Sequence, residues 1–167
     1  MTLAEFSLSS FVAAAYGSVR MSTSPQGGQN LGATFLPLDL MDQVAVQPRL
    51  MDVRAPGEFS VDYPGVYNLQ TEVGFEHDSS NGGRFTQLRL FNVTDGVPIP
   101  VTTSIGVGRN VEVTQWTGNL LFEADASAAQ KYFRWEIGGG DTVSSIEWLT
   151  QSLSVNQLSE WRGPDLI

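Results

Sequence analysis

Residues 59 to 75 read FSVDYPGVYNLQTEVGF, and their alternation decides the fold class. After Tyr63-Pro64-Gly65, the side chains of Tyr67, Leu69, Thr71, Val73 and Phe75 fall on one side of an extended chain, and those of Asn68, Gln70 and Glu72 on the other. A repeat of two is the spacing of a strand with one buried and one wet face. Pro64 presets φ and Gly65 tolerates positive φ, so the pair suits the central positions of a type II turn. The stretch reads as strand, turn, strand.

Outward from it, the chain keeps the same texture from Tyr16 on: short alternating apolar runs separated by clusters of Gly, Pro, Asn and Asp. Strands are expected near 16–22, 33–38, 43–54, 57–62, 66–76, 84–93, 98–105, 110–116, 119–124, 131–137, 142–149 and 151–158. Turn signals include Pro56-Gly57, Asn81-Gly82-Gly83, Asp95-Gly96, Thr117-Gly118-Asn119 and Gly138-Gly139-Gly140-Asp141. No run of period 3.6 nominates a helix here, which leaves an all-β, two-sheet sandwich, in its jelly-roll variant. In Tyr132-Phe133-Arg134-Trp135-Glu136-Ile137, alternation sends Phe133, Trp135 and Ile137 to the core and Tyr132, Arg134 and Glu136 outward. In TVSSIEWLTQSLSV the same rule puts Ile146 and Trp148 on one face and Leu149, Leu153 and Val155 on the other. A strand apolar on both faces is either central in a sandwich or covered by another subunit.

A chain of 167 residues, 41% hydrophobic and 16% charged, carries enough apolar material for one domain with its own core. Eighteen acidic residues against nine basic ones give a formal charge of −9, and Lys131 is the only lysine. Nucleic-acid binding needs clustered cations, and the arginines are scattered along the sequence, so no nucleic-acid partner is expected. There is no cysteine, which excludes disulfides and thiolate metal sites. No segment has the length and apolarity of a membrane helix, and Met1 is not followed by the basic start of a signal peptide, so cytoplasmic synthesis without a membrane partner is the expectation.

The residues offer little for catalysis. His77 is the only histidine. Its neighbours Glu76 and Asp78 flank it in a strand, where adjacent side chains point to opposite faces and do not converge on one ion. The loop from Asp78 to Gly83 is rich in oxygen donors of the kind that hold calcium, but it also has the composition of a plain hairpin tip. No Gly-x-Ser-x-Gly elbow is present, and neither Gly106-Val107-Gly108-Arg109 nor Gly138-Gly139-Gly140-Asp141 enters a helix or supplies a phosphate-binding lysine. The paired acids Asp39 and Asp42, or Glu123 and Asp125, serve glycoside hydrolysis only across a cleft that nothing in the sequence locates. Asn92-Val93-Thr94 matches a glycosylation acceptor that has meaning only in a secreted chain. No catalytic residue, metal ligand or cofactor is expected.

The pattern F-x-x-x-Y-P-G-V-Y-x-L from Phe59 to Leu69 resembles the aromatic-turn-Gly-x-Tyr segment of C1q/TNF-like jelly rolls, including those of bacteriophage virion proteins. Glu123 to Ser127 resembles the acidic turn before the penultimate long strand of such domains, and SSIEWLTQSLSVNQL their closing strand pair. The resemblance covers about residues 16–158. It implies a non-enzymatic module that forms threefold trimers through apolar faces, with Tyr67, Leu69, Trp135, Trp148 and Leu153 as candidates for the trimer interface or the core. Without a collagen-like Gly-X-Y stalk or an upstream anchor, the chain is more similar to viral or bacterial versions than to animal ligands. The expectation is therefore a virion structural protein: a homotrimeric jelly roll (16–158) that decorates or cements a capsid at the virion surface. An N-terminal arm (1–15) would attach it to the major capsid protein or another virion protein through Phe6, Leu8, Phe11 and Val12, and a short tail (159–167) would follow. The alternative is a receptor- or carbohydrate-binding knob associated with a tail fibre or tailspike.

Overall fold

A computed structural model of the chain describes residues 16–21, 26–38, 41, 43–49, 51–55, 57–79, 84–108 and 110–160. The candidate attachment residues Phe6, Leu8, Phe11 and Val12 lie outside these, as do Asp39, Asp42 and the tip of the oxygen-rich loop after Ser79. The described residues form twelve strands: β1 (Tyr16–Arg20), β2 (Gln26–Leu31), β3 (Leu36–Pro37), β4 (Gln43–Arg49), β5 (Val53–Ala55), β6 (Glu58–Val61), β7 (Gly65–Ser79), β8 (Arg84–Asn92), β9 (Val97–Val107), β10 (Asn110–Ala124), β11 (Lys131–Gly138) and β12 (Val143–Glu160). They build two antiparallel sheets. Sheet I has the order β10-β7-β12-β1-β4 with β2 also on β12, and sheet II the order β5-β6-β11-β8-β9 with β3 also on β11. All-β jelly-roll architecture is thus what the structure has.

The inward faces follow from the alternation. Tyr67, Leu69, Val73 and Phe75 of β7 are fully buried against Phe133, Trp135 and Ile137 of β11 and Leu88 and Leu90 of β8 in one continuous core. At one end the rings of Phe59, Phe122, Phe133 and Tyr67 interlock, with centroid distances of 4.8 Å for Phe122–Phe133 and 5.4 Å for Tyr67–Phe122. Toward the other end Trp148 meets Phe75 edge-on at 5.5 Å. Such pairs add to the burial of large apolar surface that drives the sheets together.

The corner at Tyr63-Pro64-Gly65 differs from the expected turn. Positive φ occurs at Gly57, Gly96, Gly138, Gly139 and Ser145 among the described residues, and not at Gly65, which already begins β7 in an extended conformation. A type II turn is therefore absent there. The corner is tied instead by the Tyr67 hydroxyl, which donates to the Tyr63 carbonyl at 2.6 Å. Burial, with the charge of Asp62, pushes that hydroxyl up to about 12, so it stays a donor at any physiological pH.

Two expected breaks are also missing. Thr117-Gly118-Asn119 is strand, part of an unbroken β10. Gly118 serves packing: a Cβ there would lie 2.2 Å from the Trp116 ring, which lies across the strand at that point. At the C-terminal end, the expected strands 142–149 and 151–158 are one, β12. Its register against β7 shifts between Trp148 and Thr150, so Leu149 is the extra residue of a β-bulge. The bulge reverses the phase of the residues after it, as far as a second register shift between Gln157 and Ser159. Ile146 and Trp148 before it, and Leu153 and Val155 after it, all point into the same core. Trp148 and Leu153 are therefore both spent on the core, and neither is left over for a subunit contact.

The turns at one end are clamped by the single lysine. Lys131, 2% exposed, places its ammonium 2.6 Å from Asp95 Oδ2 and 2.9 Å from Asp125 Oδ1, joining the β8–β9 turn to the β10–β11 turn. Hydrogen bonds from Ser127, and then from Lys131, hold the Asp125 carboxyl down to about 2 from its ordinary 3.8. Burial works against the charge of Lys131, but the bonds to Asp95 and Asp125 together outweigh it and raise its pKa above 10.5. A depressed acid contributes stability that is present above pH 3.8 and lost as the pH falls toward 2; a raised lysine contributes stability that is lost above 10.5. Melting scans should accordingly show a drop between pH 4 and 2 that is smaller in Asp125→Asn. Lys131→Met should cost about 1–2 kcal/mol, less than breaking a fully buried pair, because both carboxylates left behind reach water.

Candidate functional site

The outward face of sheet I is a surface that no other layer of the described residues covers. Its rows follow from the register. Leu121, Asn68, Asn156 and Tyr16 stand side by side across β10, β7, β12 and β1; the next row is Asn119, Gln70, Ser154 and Ser18; the next is Thr117, Glu72, Ser152 and Arg20. Leu158 flanks the first row, and Val113 lies at the far end of β10. Leu121 and Leu158 are 59% exposed, Val113 60% and Tyr16 41%, so four of the large exposed apolar side chains share this one face.

Between these apolar groups the face is made of short amides and hydroxyls. The Ser154 hydroxyl donates to the Ser18 hydroxyl at 3.1 Å, and the Gln115 amide donates to Glu72 at 2.7 Å. Across the three rows the only charged residues are Glu72 and Arg20, one of each sign, in a chain whose formal charge is −9. The acidic excess of the protein is absent from these three rows and returns at their margins, where Glu76 and Glu147 stand in the row of Val113 and Glu123 lies at the end of β10. A second copy of this surface meets no like-charge repulsion in those rows, and it finds neutral donors and acceptors that pair with its own.

The sequence candidates fall elsewhere. Tyr67, Leu69, Trp135, Trp148 and Leu153 all lie in the interior between the sheets. His77 is 1% exposed, points inward beside Phe75, and both its ring nitrogens lack a hydrogen-bond partner among the described residues. No group of three or more metal-ligating side chains occurs among the described residues. Glu123 faces outward at the end of β10, whereas Asp125 is held in the Lys131 clamp, so this pair does not flank a cleft. Asn92 is buried, and its amide is spent on Asp95, donating through Nδ2 at 2.7 Å and accepting through Oδ1 at 3.0 Å; that removes the glycosylation reading.

What the sequence analysis missed is the partner set of Asn68 and Gln70. Their outward direction was evident from alternation, but the neighbours that make them a surface come from β1, β10 and β12, up to 88 residues away, and alternation within one strand does not give register between strands. A run of Ser and Asn at every second position, Ser152, Ser154 and Asn156, was the available signal.

No family model matches the sequence, and no curated protein matches it significantly. Solved structures do. The globular domain of zebrafish complement 1qA protein is similar at a TM-score of 0.57 and 15% identity, covering 89% of this chain and 99% of that one. Eiger TNF from S. frugiperda is similar at 0.52 and 12%, covering 92% and 97%. Murine APRIL is similar at 0.50 and 10%, covering 87% and 99%. The two-sheet sandwich is therefore a C1q/TNF-like jelly roll.

Proposed function

We infer that this chain is a non-catalytic module that assembles with copies of itself, as a homotrimer, through the outward face of sheet I. The observation that carries the reading is the charge-balanced row system around Asn68, Gln70 and Glu72, bordered by Tyr16, Leu121 and Leu158, in a strongly acidic protein. The C1q/TNF-like fold supports it, since the sheet that presents this face is complete and paired on both sides of β7 and β12. The expected site of action is the virion surface, where the trimer decorates or cements a capsid and residues 1–15 bind the major capsid protein or another virion protein. This finer part rests on the sequence resemblance and on the apolar residues Phe6, Leu8, Phe11 and Val12. A knob on a tail fibre or tailspike is the second reading, favoured by the patch described below.

Deletion of residues 1–15 separates attachment from folding. Ordering such a segment costs about 1–2 kcal/mol per residue in backbone entropy, so several of its apolar side chains must be buried together in a partner. The truncated protein should keep its circular dichroism and its trimeric state and lose binding to undecorated capsids. Unchanged capsid binding would move attachment to the jelly roll, and a handful of copies per particle instead of hundreds would favour the knob.

A further inference from the structure

The outward face of sheet II carries the opposite kind of surface. Arg89 and Arg134 grip one carboxylate between them: Glu136 Oε2 accepts from Arg89 Nε at 2.8 Å and Oε1 from Arg134 Nε at 2.9 Å, and each arginine brings its Nη2 within 2.7 Å of the same oxygen. Glu136 was expected to face outward into water, and it does leave the core side of β11, but it is 3% exposed because the two guanidiniums cover it. Both oxygens of the acid are consumed, whereas the Nη1 group of each arginine is not spent on Glu136. The guanidiniums are held flat by rings. Arg89 lies 3.7 Å from the Phe35 centroid and Arg134 5.4 Å from that of Phe91; beside them Arg54 lies 4.8 Å from Tyr132.

Phe35 reaches Arg89 because β11 ends in glycines. A Cβ on Gly139, whose φ is +67°, would sit 2.4 Å from the Phe35 ring. The Gly138-Gly139-Gly140 stretch is thus the clearing that lets Phe35 lie over the end of the strand.

We propose that this arginine and aromatic platform, Arg54, Arg89 and Arg134 with Tyr132 and Phe91, binds a sugar that carries an isolated carboxylate. Planar guanidiniums fixed by a buried acid and by stacking lose little freedom when they take a second carboxylate, and they present it with paired donors. Glu58 sits 3.5 Å from Arg54, so the patch holds three positive and two negative side chains. An excess of one charge matches one carboxylate. The formal charge of −9 on the whole chain repels a polyanion, which disfavours nucleic acid and densely sulfated polymers. The strands beneath, β8 and β11, are paired on both sides and offer no edge for an acidic peptide to extend. The C–H face of a pyranose chair can lie on the Tyr132 and Phe91 rings while its carboxylate meets the guanidiniums beside them. The proposal needs neither the trimer nor the capsid.

The test is a titration of the full chain with methyl β-glucuronide and methyl α-N-acetylneuraminate, with methyl β-glucoside as the neutral control, followed by saturation-transfer NMR. At least one acid should saturate with a dissociation constant of about 1 mM or below, and the glucoside should bind at least about tenfold more weakly. Arg89→Lys, which keeps the charge and loses the fork, and Arg54→Gln, at an exposed position that folding does not depend on, should each weaken the acid about tenfold. No saturation by either acid up to ~10 mM, or equal binding of the glucoside, overturns the proposal. So does a loss of self-association in Arg54→Gln without sugar binding, which would make the platform a contact between copies.

Discussion

Trp135→Ala lowers the free energy of unfolding by about 3–5 kcal/mol, because it empties the volume of one of the two largest fully buried side chains among the described residues. A domain of this size holds roughly 5–15 kcal/mol in all, so the variant sits near the edge of folding. The cost comes from the cavity and not from the indole nitrogen, which has no hydrogen-bond partner among the described residues. Trp135→Phe should consequently cost only about 1–2 kcal/mol, since it keeps most of the ring volume and removes an unpaired buried donor. Urea denaturation of the two variants checks both statements. Equal losses would mean that the nitrogen is bonded and that the interior around Trp135 differs from the packing described here.

Asn68→Arg disrupts assembly without touching the fold. Asn68 sits between Leu121 and Asn156 in the most apolar row of the sheet I face, and its side chain points away from the core. A guanidinium there puts a long unpaired charge into a row that the neighbouring copy covers, and burying it without a partner costs several kcal/mol, enough to raise the dissociation constant by about a hundredfold or more. Surface substitutions of this kind shift stability by only about half a kcal/mol. The expected pattern is a monomer whose circular dichroism matches the parent. Arg54→Gln on sheet II is the control and should leave the molar mass unchanged.

The two-sheet architecture was legible because β7, β8 and β11 alternate over most of their length and most of their inward residues are large and apolar. Phe133, Trp135 and Ile137, and Tyr67 through Phe75, are placed where their spacing puts them. Alternation failed at β12, where the bulge at Leu149 inserts one residue and carries Leu153 and Val155 back to the face of Trp148. Bulges leave no reliable mark in composition, so the strand looked two-faced. At Gly118 the failure was of another kind: a glycine between Thr and Asn has the chemistry of a turn, and only the Trp116 ring lying over it shows a packing role. The charge pattern on the sheets was hidden for a third reason. Arg54, Arg89 and Arg134 are scattered in sequence and are brought together only through the pairing of β11 with β6 and β8 and of β6 with β5.

Sedimentation equilibrium of the parent chain at micromolar concentration decides whether the sheet I face joins copies of the protein. The sheet I face predicts a species of about 55 kDa, three times the 18.2 kDa chain, that reverts to monomer in Asn68→Arg. A parent protein that stays at 18.2 kDa across the concentration range contradicts it.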